Sequence, residues 1–486
     1  MKYTIALIVL LFCGLYTLKV QSQDIPDDLL SKDYFSARRE KLRTILPPNS
    51  VAVFFSNPVR NRANDVDYVY HQDPDFYYLT GYREANSVLL IFKDKQAPTK
   101  GGDTYNEIIF VNPRDALREL WTGRRLGKEG VRDQLGFDQS FDNQDFKRYD
   151  MDFSKFDKIL FFDFKNDVRN DKRDSADLYE LIRHFKAKVK YPSSEVVNIK
   201  TEPMPNNIDL VSLDNLMVEL RGVKSPEEIA LLKKAILISC VGQVEVMKAI
   251  KPGMSEREIQ GIHEYVYKKY QAEDLGYPSI VGSGHNGCIL HYIENYKPSV
   301  SSKEMILMDL GAEFHGYTAD ITRTIPISGK FSTEQRQIYD LVLKAQEEAM
   351  KICKAGVPIS SLNEVSRNVI NEGLVELGIL KSETEANSYF PHGLTHHIGL
   401  DVHDRGGRQL VENNAITIEP GIYIPENSPC LKKWWGIAVR IEDDYLVQQN
   451  SCELLSGSAP RKAEDIEAMM KQPSPLDNFI LPEIGQ

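Results

Sequence analysis

The sequence predicts an α/β N-terminal domain followed by a larger α+β domain. In the first half, short β-rich runs alternate with charged, helix-like stretches, a pattern typical of layered α/β structure. In the second half the element types are grouped: predicted helices precede strands, and helices over 332–377 precede a strand-rich segment over 392–447. Between the halves, EPMPNN at 202–207 interrupts both patterns with two prolines and two asparagines. We therefore expect domains at 24–205 and 208–470, with a tail at 471–486.

Four β-rich runs mark the expected strands of the first domain. They are SVAVFF at 50–55, SVLLIF at 87–92, EIIFV at 107–111 and KILFFDF at 158–164.

The second domain opens with a clear helix start. Ser225 is a favoured N-cap residue, Pro226 suits the first helical position, and Glu228 stands three residues after the cap, where it completes a capping box. A helix is expected from this point.

The first residues read as a targeting signal. Lys2 precedes an apolar run over 5–18, and Val20 and Ser22 are small residues at a suitable cleavage point. We expect a signal peptide at 1–22, cleavage near Ser22, and export to the periplasm or medium. The alternative is an uncleaved anchor, but the run is short for a bilayer span, which needs about 20 residues. No later segment comes close, so no stable span is expected after cleavage.

Net charge and cysteine content argue against several classes of partner and of structural site. The net charge of -11 offers no basic surface for phosphates, which argues against nucleic acid and against anionic membranes as partners. Five cysteines follow the signal, an odd number without regular spacing or a CxxC pair. They indicate neither a disulfide framework nor a zinc knuckle.

Two aspartates lie in the largely apolar strands of a predicted hairpin, MDLGAEFHGYTAD at 308–320. A turn centred between Phe314 and His315 would place Asp309 directly opposite Asp320, with Cβ atoms about 4.5 to 5.5 Å apart. Like charges at that distance resist ionisation unless a cation lies between them. The plainer alternative is that one acid faces solvent and the other caps a turn.

Histidines concentrate nearby. Seven of the ten fall between 285 and 403, and HGLTHHIGLDVHD at 392–404 alone holds four. Its glycines indicate a loop or strand rather than the helix of an HExxH zinc site. Each histidine taken singly could instead be an ordinary core or surface residue.

Two further acids lie on predicted strands. Glu419 precedes a Pro-Gly turn in AITIEPGIYIP, and Glu442 shares a strand face with Arg440 in GIAVRIEDDYLV, where a plain ion pair is the alternative. Four carboxylates and one imidazole are costly to gather without cations. Two divalent ions would neutralise them, and the oxygen-rich set suits manganese. Bridging acids hold such ions roughly 3.5 to 4 Å apart.

These motifs together resemble those of the pita-bread metallopeptidases, and among them the Xaa-Pro aminopeptidases (aminopeptidase P). The resemblance runs along nearly the whole chain after the signal. DYVYHQDPDFYYLTGY and LWTGRRLG resemble that family's first domain. Five segments resemble its catalytic domain in order and spacing: IVGSGHNGCILHYIENY, MDLGAEFHGYTADITRTIP, HGLTHHIGLDVHD, TIEPGIYIP and VRIEDD.

The resemblance implies a pita-bread fold for the second domain and a set of metal ligands. These ligands are Asp309, Asp320, His396, Glu419 and Glu442. Asp320 and Glu442 would bridge two divalent ions, most simply Mn²⁺; Asp309 would hold one ion, and His396 with Glu419 the other. A metal-bridging hydroxide would attack the peptide bond that precedes a proline at the second position, while Glu419 handles the proton.

The resemblance also implies roles around the ions. His291 and His403 would lie beside the scissile carbonyl and His392 would shape the proline pocket. Arg440 and Tyr423 would brace the site from outside the metal ligands, with Arg440 also among the substrate-binding residues.

The substrate amine would meet Asp65, with Arg124 or Arg125 at the same end. A structural salt bridge is an equally good reading of these three N-terminal residues.

Three alternatives stay open. His397 follows the expected ligand directly, so a shift of one residue would exchange it for His396, although the seven-residue interval to His403 favours His396. The enzyme could be a prolidase, which shares the ligands but cleaves Xaa-Pro dipeptides. It could also be a metal-free relative that acts as a binding module or an amidinohydrolase, which the full ligand set argues against.

As in relatives, a homo-oligomer formed through the N-terminal domain is expected.

Overall fold

The computed structural model describes residues 26, 28–97, 102–192, 203–383, 386–478 and 481. The expected signal peptide at 1–22 and most of the last eight residues of the tail lie outside these residues. No helix in the part of the chain that is described is both long and apolar enough to cross a bilayer.

The N-terminal region is built on a mixed six-stranded sheet with strand order β6-β5-β4-β1-β7-β8. A small hairpin, β2–β3, lies apart from it. The strands are β1 (Ser50–Phe55), β2 (Asn61–Ala63), β3 (Val66–Asp67), β4 (Val88–Gln96), β5 (Tyr105–Val111), β6 (Ser140–Asp142), β7 (Lys158–Leu160) and β8 (Ile208–Asp209). The four predicted β-rich runs supply β1, β4, β5 and β7. The residues expected to open the second domain, at 208, form β8, which still pairs with this sheet.

Both faces of this sheet are covered. In β1, Ala52 and Phe54 pack into one buried cluster while Val51 and Val53 pack into another. Such two-sided burial explains why the strands read as continuous apolar runs. The helices of this region are α1 (Lys32–Ile45), α2 (Pro74–Thr80), α3 (Ala116–Thr122), α4 (Gly127–Leu135) and α5 (Leu178–Val189).

The C-terminal region surrounds several short antiparallel ladders with helices. Its helices are α6 (Ser212–Gly222), α7 (Pro226–Ala249), α8 (Glu256–Lys269), α9 (Thr333–Ile352), α10 (Ile359–Glu376) and α11 (Ala463–Met469). Its strands are β9 (Asp274–Leu275), β10 (Ile280–Ser283), β11 (Met305–Leu310), β12 (Ala312–Phe314), β13 (Tyr317–Thr318), β14 (Ile321–Pro326), β15 (Ala415–Ile418), β16 (Gly421–Ile424), β17 (Ile437–Arg440), β18 (Asp443–Val447) and β19 (Cys452–Leu454).

The predicted start of α7 is confirmed. Ser225 caps the helix, Pro226 begins it, and the side chains of Ser225 and Glu228 form the reciprocal capping box. Helix α7 packs against α8, and α9 packs against α10, so each pair covers one set of ladders from outside.

The acidic hairpin has a different register from the predicted one. Asp309 on β11 pairs with Thr322 on β14, so the predicted pairing of Asp309 with Asp320 is wrong by two residues. The turn is centred on His315 and Gly316, whose φ angles are 50° and 86°. Tight two-residue hairpin turns require such positive angles, and glycine supplies one without strain. Because the shift is an even number of residues, Asp320 stays on the same side as Asp309.

Candidate metal centre

A cavity of about 360 Å³ opens where the C-terminal ladders meet. Every side chain predicted to bind metal faces it, together with three further histidines. Its lining is Leu290, His291, Asp309, Asp320, His392, Gly393, Thr395, His396, His403, Glu419, Arg440 and Glu442. The fold thus brings together acids that are far apart in the sequence.

Three of the four acids lie where a strand is interrupted. Asp320 separates β13 from β14, Glu419 separates β15 from β16, and Glu442 separates β17 from β18. The ladders on either side of the second and third breaks share one register, which sets Glu419 opposite Glu442 across the strand pair. A break in the ladder frees backbone groups and lets the carboxylates turn into the cavity.

Buried glutamines satisfy the carbonyls at these breaks. The side-chain amide of Gln346 on α9 donates to the carbonyls of Ile418 (3.0 Å) and Ile441 (3.2 Å). Gln243 on α7 does the same for Met308 (3.1 Å) and Ile321 (2.9 Å) at the other hairpin. Both glutamines are fully buried. Each covering helix therefore holds one pair of acid-bearing strands at a fixed separation.

The donor atoms are spaced as cation ligands are. His396 Nε2 lies 3.4 Å from Asp320 Oδ2, 3.6 Å from Glu419 Oε1 and 3.8 Å from Glu442 Oε1. Ligands that each sit roughly 2.0 to 2.2 Å from a common cation lie roughly 3 to 3.6 Å from one another. The Nδ1 atom of His396 is 3.1 Å from the carbonyl of His397, and this bond leaves Nε2 free to face the acids.

The charges are unbalanced in the protein alone. Burial raises the pKa of Glu419 to about 7, partly offset by His396. Burial and the charges of the other acids raise the pKa of Glu442 well above its ordinary value, and burial with Asp309 raises that of Asp320. Burial alone lowers the pKa of His396, but Asp320 and Glu419 outweigh it and raise the pKa to about 9. The raised pKa values reflect burial of the carboxylates and repulsion between them, and bound cations would reduce that repulsion.

Outer contacts fix the acids in place. The Tyr277 hydroxyl lies 2.6 Å from Asp309 Oδ1 and 2.6 Å from Asp320 Oδ1, so its single proton is shared between the two carboxylates. Arg440 donates to Asp309 Oδ2 at 2.6 Å and to the Tyr423 hydroxyl at 2.9 Å. Arg440 thus touches both an acid and the tyrosine beside it.

The three histidines outside the acid cluster line the open part of the cavity. His392 Nε2 lies 2.8 Å from the Tyr423 hydroxyl, and burial lowers the pKa of His392 to about 4. The rings of His396 and His403 lie 4.3 Å apart. Burial and the neighbouring His396 and His291 lower the pKa of His403. His392 uses both ring nitrogens within the protein, Nδ1 at 2.7 Å from the Gly393 carbonyl and Nε2 at the Tyr423 hydroxyl, so it offers a substrate its ring face, whereas neutral His403 can form a hydrogen bond to a substrate.

A buried ionic network anchors the loop that carries His403. Lys224 Nζ lies 2.6 Å from Asp404 Oδ2, and Arg221 contacts the other oxygen of Asp404. Arg221 also lies 2.6 Å from Asp75 on α2 of the N-terminal region. Burial alone would raise the pKa of Asp404, but the two cations outweigh it and lower the pKa. The N-terminal region therefore helps to hold this loop.

Some predicted residues lie elsewhere. Asp65 is exposed in the turn between β2 and β3 and lines a different cavity, so the chain does not bring it to the acid cluster. Arg124 and Arg125 do not line the metal cavity either; Arg125 bonds weakly to the Pro113 carbonyl at 3.4 Å. His397 points away, with Nε2 3.0 Å from the Gly407 carbonyl, which favours His396 as the inward histidine.

Sequence reasoning missed three supporting residues. Thr322, whose hydroxyl is 2.7 Å from Glu442 Oε2, could have been found, because it lies two residues after Asp320 on the same strand face. Tyr277 lies in a segment without regular secondary structure, and Gln346 lies on a long helix. No sequence pattern marks either residue as part of the site.

Comparisons with known proteins agree with this arrangement. The description "Aminopeptidase P, N-terminal domain" matches residues 35–158, and "Metallopeptidase family M24" matches residues 230–449. The Xaa-Pro aminopeptidase of Haemophilus influenzae is 34% identical over 456 residues, a span that covers 91% of this chain and 98% of that protein. The chain belongs to metallopeptidase family M24.

Other M24 relatives extend the similarity to three dimensions. The Xaa-Pro aminopeptidase of Escherichia coli is 33% identical over 463 residues, again 91% of this chain and 98% of that protein. The structure of aminopeptidase P from E. coli with the inhibitor Pro-Leu matches with a TM-score of 0.79 and 32% identity, over 91% of this chain and 98% of that one. The predicted resemblance and the two-domain pita-bread fold class are confirmed. Membership of an M24 metallopeptidase family implies divalent metal ions, and the acid cluster suits them.

Proposed function

We propose that this M24 metallopeptidase is an Xaa-Pro aminopeptidase, which removes the N-terminal residue of peptides that carry proline at the second position. The observation that supports this most is the convergence of four carboxylates and His396 on one cavity that three more histidines line. The end-to-end similarity to Xaa-Pro aminopeptidases supports the substrate class.

The proposed cofactor is a pair of Mn²⁺ ions. Asp309, Asp320, His396, Glu419 and Glu442 would hold them. An oxygen-rich set with one imidazole favours hard or borderline ions over a cysteine-type zinc site. The spacing around His396 Nε2, between 3.4 and 3.8 Å, is compatible with a cation bound in common by His396 and the neighbouring acids.

When bound, the ions supply an activated water and positive charge to polarise the substrate carbonyl. The chain supplies the proton transfers and the hydrogen bonds. Glu419, which faces the cavity beside the other acids, is placed to take a proton and return it to the leaving proline nitrogen. His291 and His403 would donate to charge that develops on the carbonyl oxygen.

Substrate orientation is assigned to the opposite wall. His392, held by the Tyr423 hydroxyl at 2.8 Å, would face the proline ring. Arg440, 2.6 Å from Asp309 and 2.9 Å from the same hydroxyl, would keep this wall and the acid cluster in register. For Asp65 a contact with the substrate amine stays a prediction.

A direct test compares substrates on the Mn²⁺-loaded enzyme. Xaa-Pro-Yaa tripeptides should be cleaved far better than Xaa-Pro dipeptides; a preference for the dipeptide would identify a prolidase instead.

Asp320→Asn and Glu442→Gln should lose at least about a thousandfold in kcat/KM, since a metal-organised site contributes several kcal/mol. Glu412→Gln, an exposed acid outside the cavity, is the matched control and should keep full activity.

Export is also proposed. It is supported by Lys2, the apolar run at 5–18 and the small residues near Ser22. Mass analysis of the mature N-terminus in the native host should find a chain that begins close to residue 23. A chain that still begins at Met1 in the cytoplasm would contradict export.

A homo-oligomer formed through the N-terminal region is proposed as well. Helix α3 exposes large apolar side chains: Leu117, Leu120 and Trp121 are 76%, 80% and 90% exposed. Large exposed apolar patches commonly mark interaction surfaces. Light scattering should detect an oligomer that Trp121→Glu dissociates, whereas a monomer in both proteins would contradict the proposal.

A further inference from the structure

Two cysteines that are distant in the sequence lie close together at the end of α9. Cys353 directly follows α9, and Cys452 opens β19. Both contact one carbonyl, that of Met350: the backbone N–H of Cys353 donates to it at 3.1 Å, and the Cys452 thiol donates to it at 3.7 Å. The two thiols also perturb each other's pKa, which is raised at Cys353 and lowered at Cys452. Both are free thiols in the structure.

The backbone around both residues is held by hydrogen bonds. Cys452 pairs with Val447 in the β18–β19 hairpin. The N–H of Ala355 donates to the carbonyl of Gln448 at 3.0 Å, which ties the segment after Cys353 to the same hairpin. Cys353 is almost fully buried and Cys452 is partly exposed. These contacts hold the end of α9 and the β18–β19 hairpin together, which is the proximity that a disulfide between the two residues requires.

We propose that Cys353 and Cys452 form a disulfide bond when the protein meets a disulfide oxidant such as glutathione disulfide. The Cys452 thiolate attacks the oxidant, forms a mixed disulfide and releases one glutathione thiolate. The Cys353 thiolate then attacks Cys452 Sγ, forms the protein disulfide and releases the second glutathione. The two protein thiols lose two protons and two electrons, and the oxidant is reduced to two thiols.

The surroundings set the order of attack. Cys452 is the more exposed thiol, and the hydrogen bond from Cys353 lowers the pKa of Cys452. The same bond, with burial, raises the pKa of Cys353. The accessible thiol with the lower pKa reacts first with an external oxidant.

The bond would link two elements, α9 and the β18–β19 hairpin, that also support the acid-bearing strands. Helix α9 carries Gln346, which bonds the carbonyl of Ile441, and β18 begins directly after Glu442. A disulfide from the end of α9 to β19 closes a long loop, the case in which chain-entropy stabilisation is greatest. Neither cysteine lines the cavity, so turnover should not depend on the bond.

The first test maps the bond chemically. The full metal-loaded chain is incubated with glutathione disulfide, alkylated, digested with trypsin and analysed by mass spectrometry. We expect tryptic peptides 352–354 and 441–461 to be joined with the loss of two hydrogens. Cys452→Ser should lack this species, and Cys430→Ser, the matched control, should keep it. Alkylation of both cysteines after treatment, or glutathione retained on Cys452 without the crosslink, would overturn the proposal.

The second test measures stability. Reduction of the oxidised protein should lower Tm by roughly 5 °C or more. Cys353→Ser and Cys452→Ser should show no change on reduction, and kcat on an Xaa-Pro-Yaa peptide should stay within about twofold in all forms. An equal effect of reduction on the unsubstituted chain and both variants would contradict the crosslink. These tests use an added oxidant, so they can fail or succeed independently of the proposed export and peptidase activity.

Discussion

The hydroxyl of Tyr277 lies 2.6 Å from Asp309 Oδ1 and equally close to Asp320 Oδ1. One phenol thus spans two acids on successive segments of the hairpin. The burial of Tyr277 and the charges of both acids raise its pKa well above the ordinary value, so it remains a hydrogen-bond donor at neutral pH. The separation of these two acids is therefore fixed before a cation binds.

Replacing Tyr277 should weaken metal binding more than catalysis. Tyr277→Phe removes the donor but keeps the ring, and loss of an outer-shell partner typically costs about 10- to 100-fold in metal affinity. Competition with a fluorescent chelator should reveal this loss, while kcat recovers at saturating Mn²⁺. Tyr265→Phe, at an exposed tyrosine on α8, is the control and should bind metal normally. Unchanged affinity in Tyr277→Phe would contradict the positioning role.

Gln346 should contribute both to the stability of the fold and to the fixed separation of Glu419 and Glu442. Gln346→Leu leaves the carbonyls of Ile418 and Ile441 without their buried donor, at a cost of about 1 to 3 kcal/mol each. We expect a lower urea midpoint and, at saturating Mn²⁺, a lower kcat, because Glu419 and Glu442 lose their fixed separation. Gln472→Leu, at an exposed position, should change neither quantity. A normal kcat in a clearly destabilised Gln346→Leu protein would restrict this glutamine to a structural role.

The Lys224–Asp404 pair should affect catalysis through His403. Lys224→Met leaves Asp404 buried with Arg221 as its remaining cation, and breaking a buried pair typically costs about 3 to 5 kcal/mol. The loop that carries His403 should loosen, so kcat should fall while the stoichiometry of bound metal stays the same. Lys224→Arg should restore part of the activity. Loss of metal together with kcat would place the effect at the ligands instead.

The contact between the two regions should weaken as pH rises. His315 contacts Asp28 at 2.7 Å and Glu273 at 3.1 Å. Burial alone lowers the pKa of His315, but these acids outweigh it and raise the pKa above the ordinary 6.5. A raised folded-state pKa gives stability that is fully present below 6.5 and is lost as pH rises through the folded-state pKa.

The variant His315→Asn tests this pH dependence. Asparagine tolerates the positive φ of 50° at this turn but does not titrate in this range. The difference in unfolding free energy between the unsubstituted chain and the variant should be about 1 to 2 kcal/mol larger near pH 6 than near pH 9. Urea denaturation at both pH values measures it. An equal difference at the two values would show that the histidine does not carry the interaction as a cation.

The sequence was sufficient where a local pattern decides the structure. The start of α7 followed from Ser225, Pro226 and Glu228, because caps depend on neighbouring residues alone. The hairpin register did not follow, since a turn at His315 and Gly316 differs from one centred a residue earlier only in which positions adopt positive φ.

The candidate site likewise contains some residues that the sequence predicts and others that it does not. Asp309, Asp320, His396, Glu419 and Glu442 could be predicted because they stand within recognisable motifs, and the cavity brings all of them together. Tyr277 and Gln346 act through contacts between distant segments, which no periodicity records. Asp65 is predicted by the family resemblance alone, and the fold of one chain leaves it outside the cavity.

The central claim is that these five side chains hold two divalent ions. Anomalous diffraction from a crystal of the Mn²⁺-loaded protein tests it most directly. The account predicts two anomalous peaks in the cavity, roughly 3.5 to 4 Å apart, each about 2.0 to 2.3 Å from oxygens of Asp320 and Glu442. A map with no peak there, or with peaks bound by other residues, would contradict it.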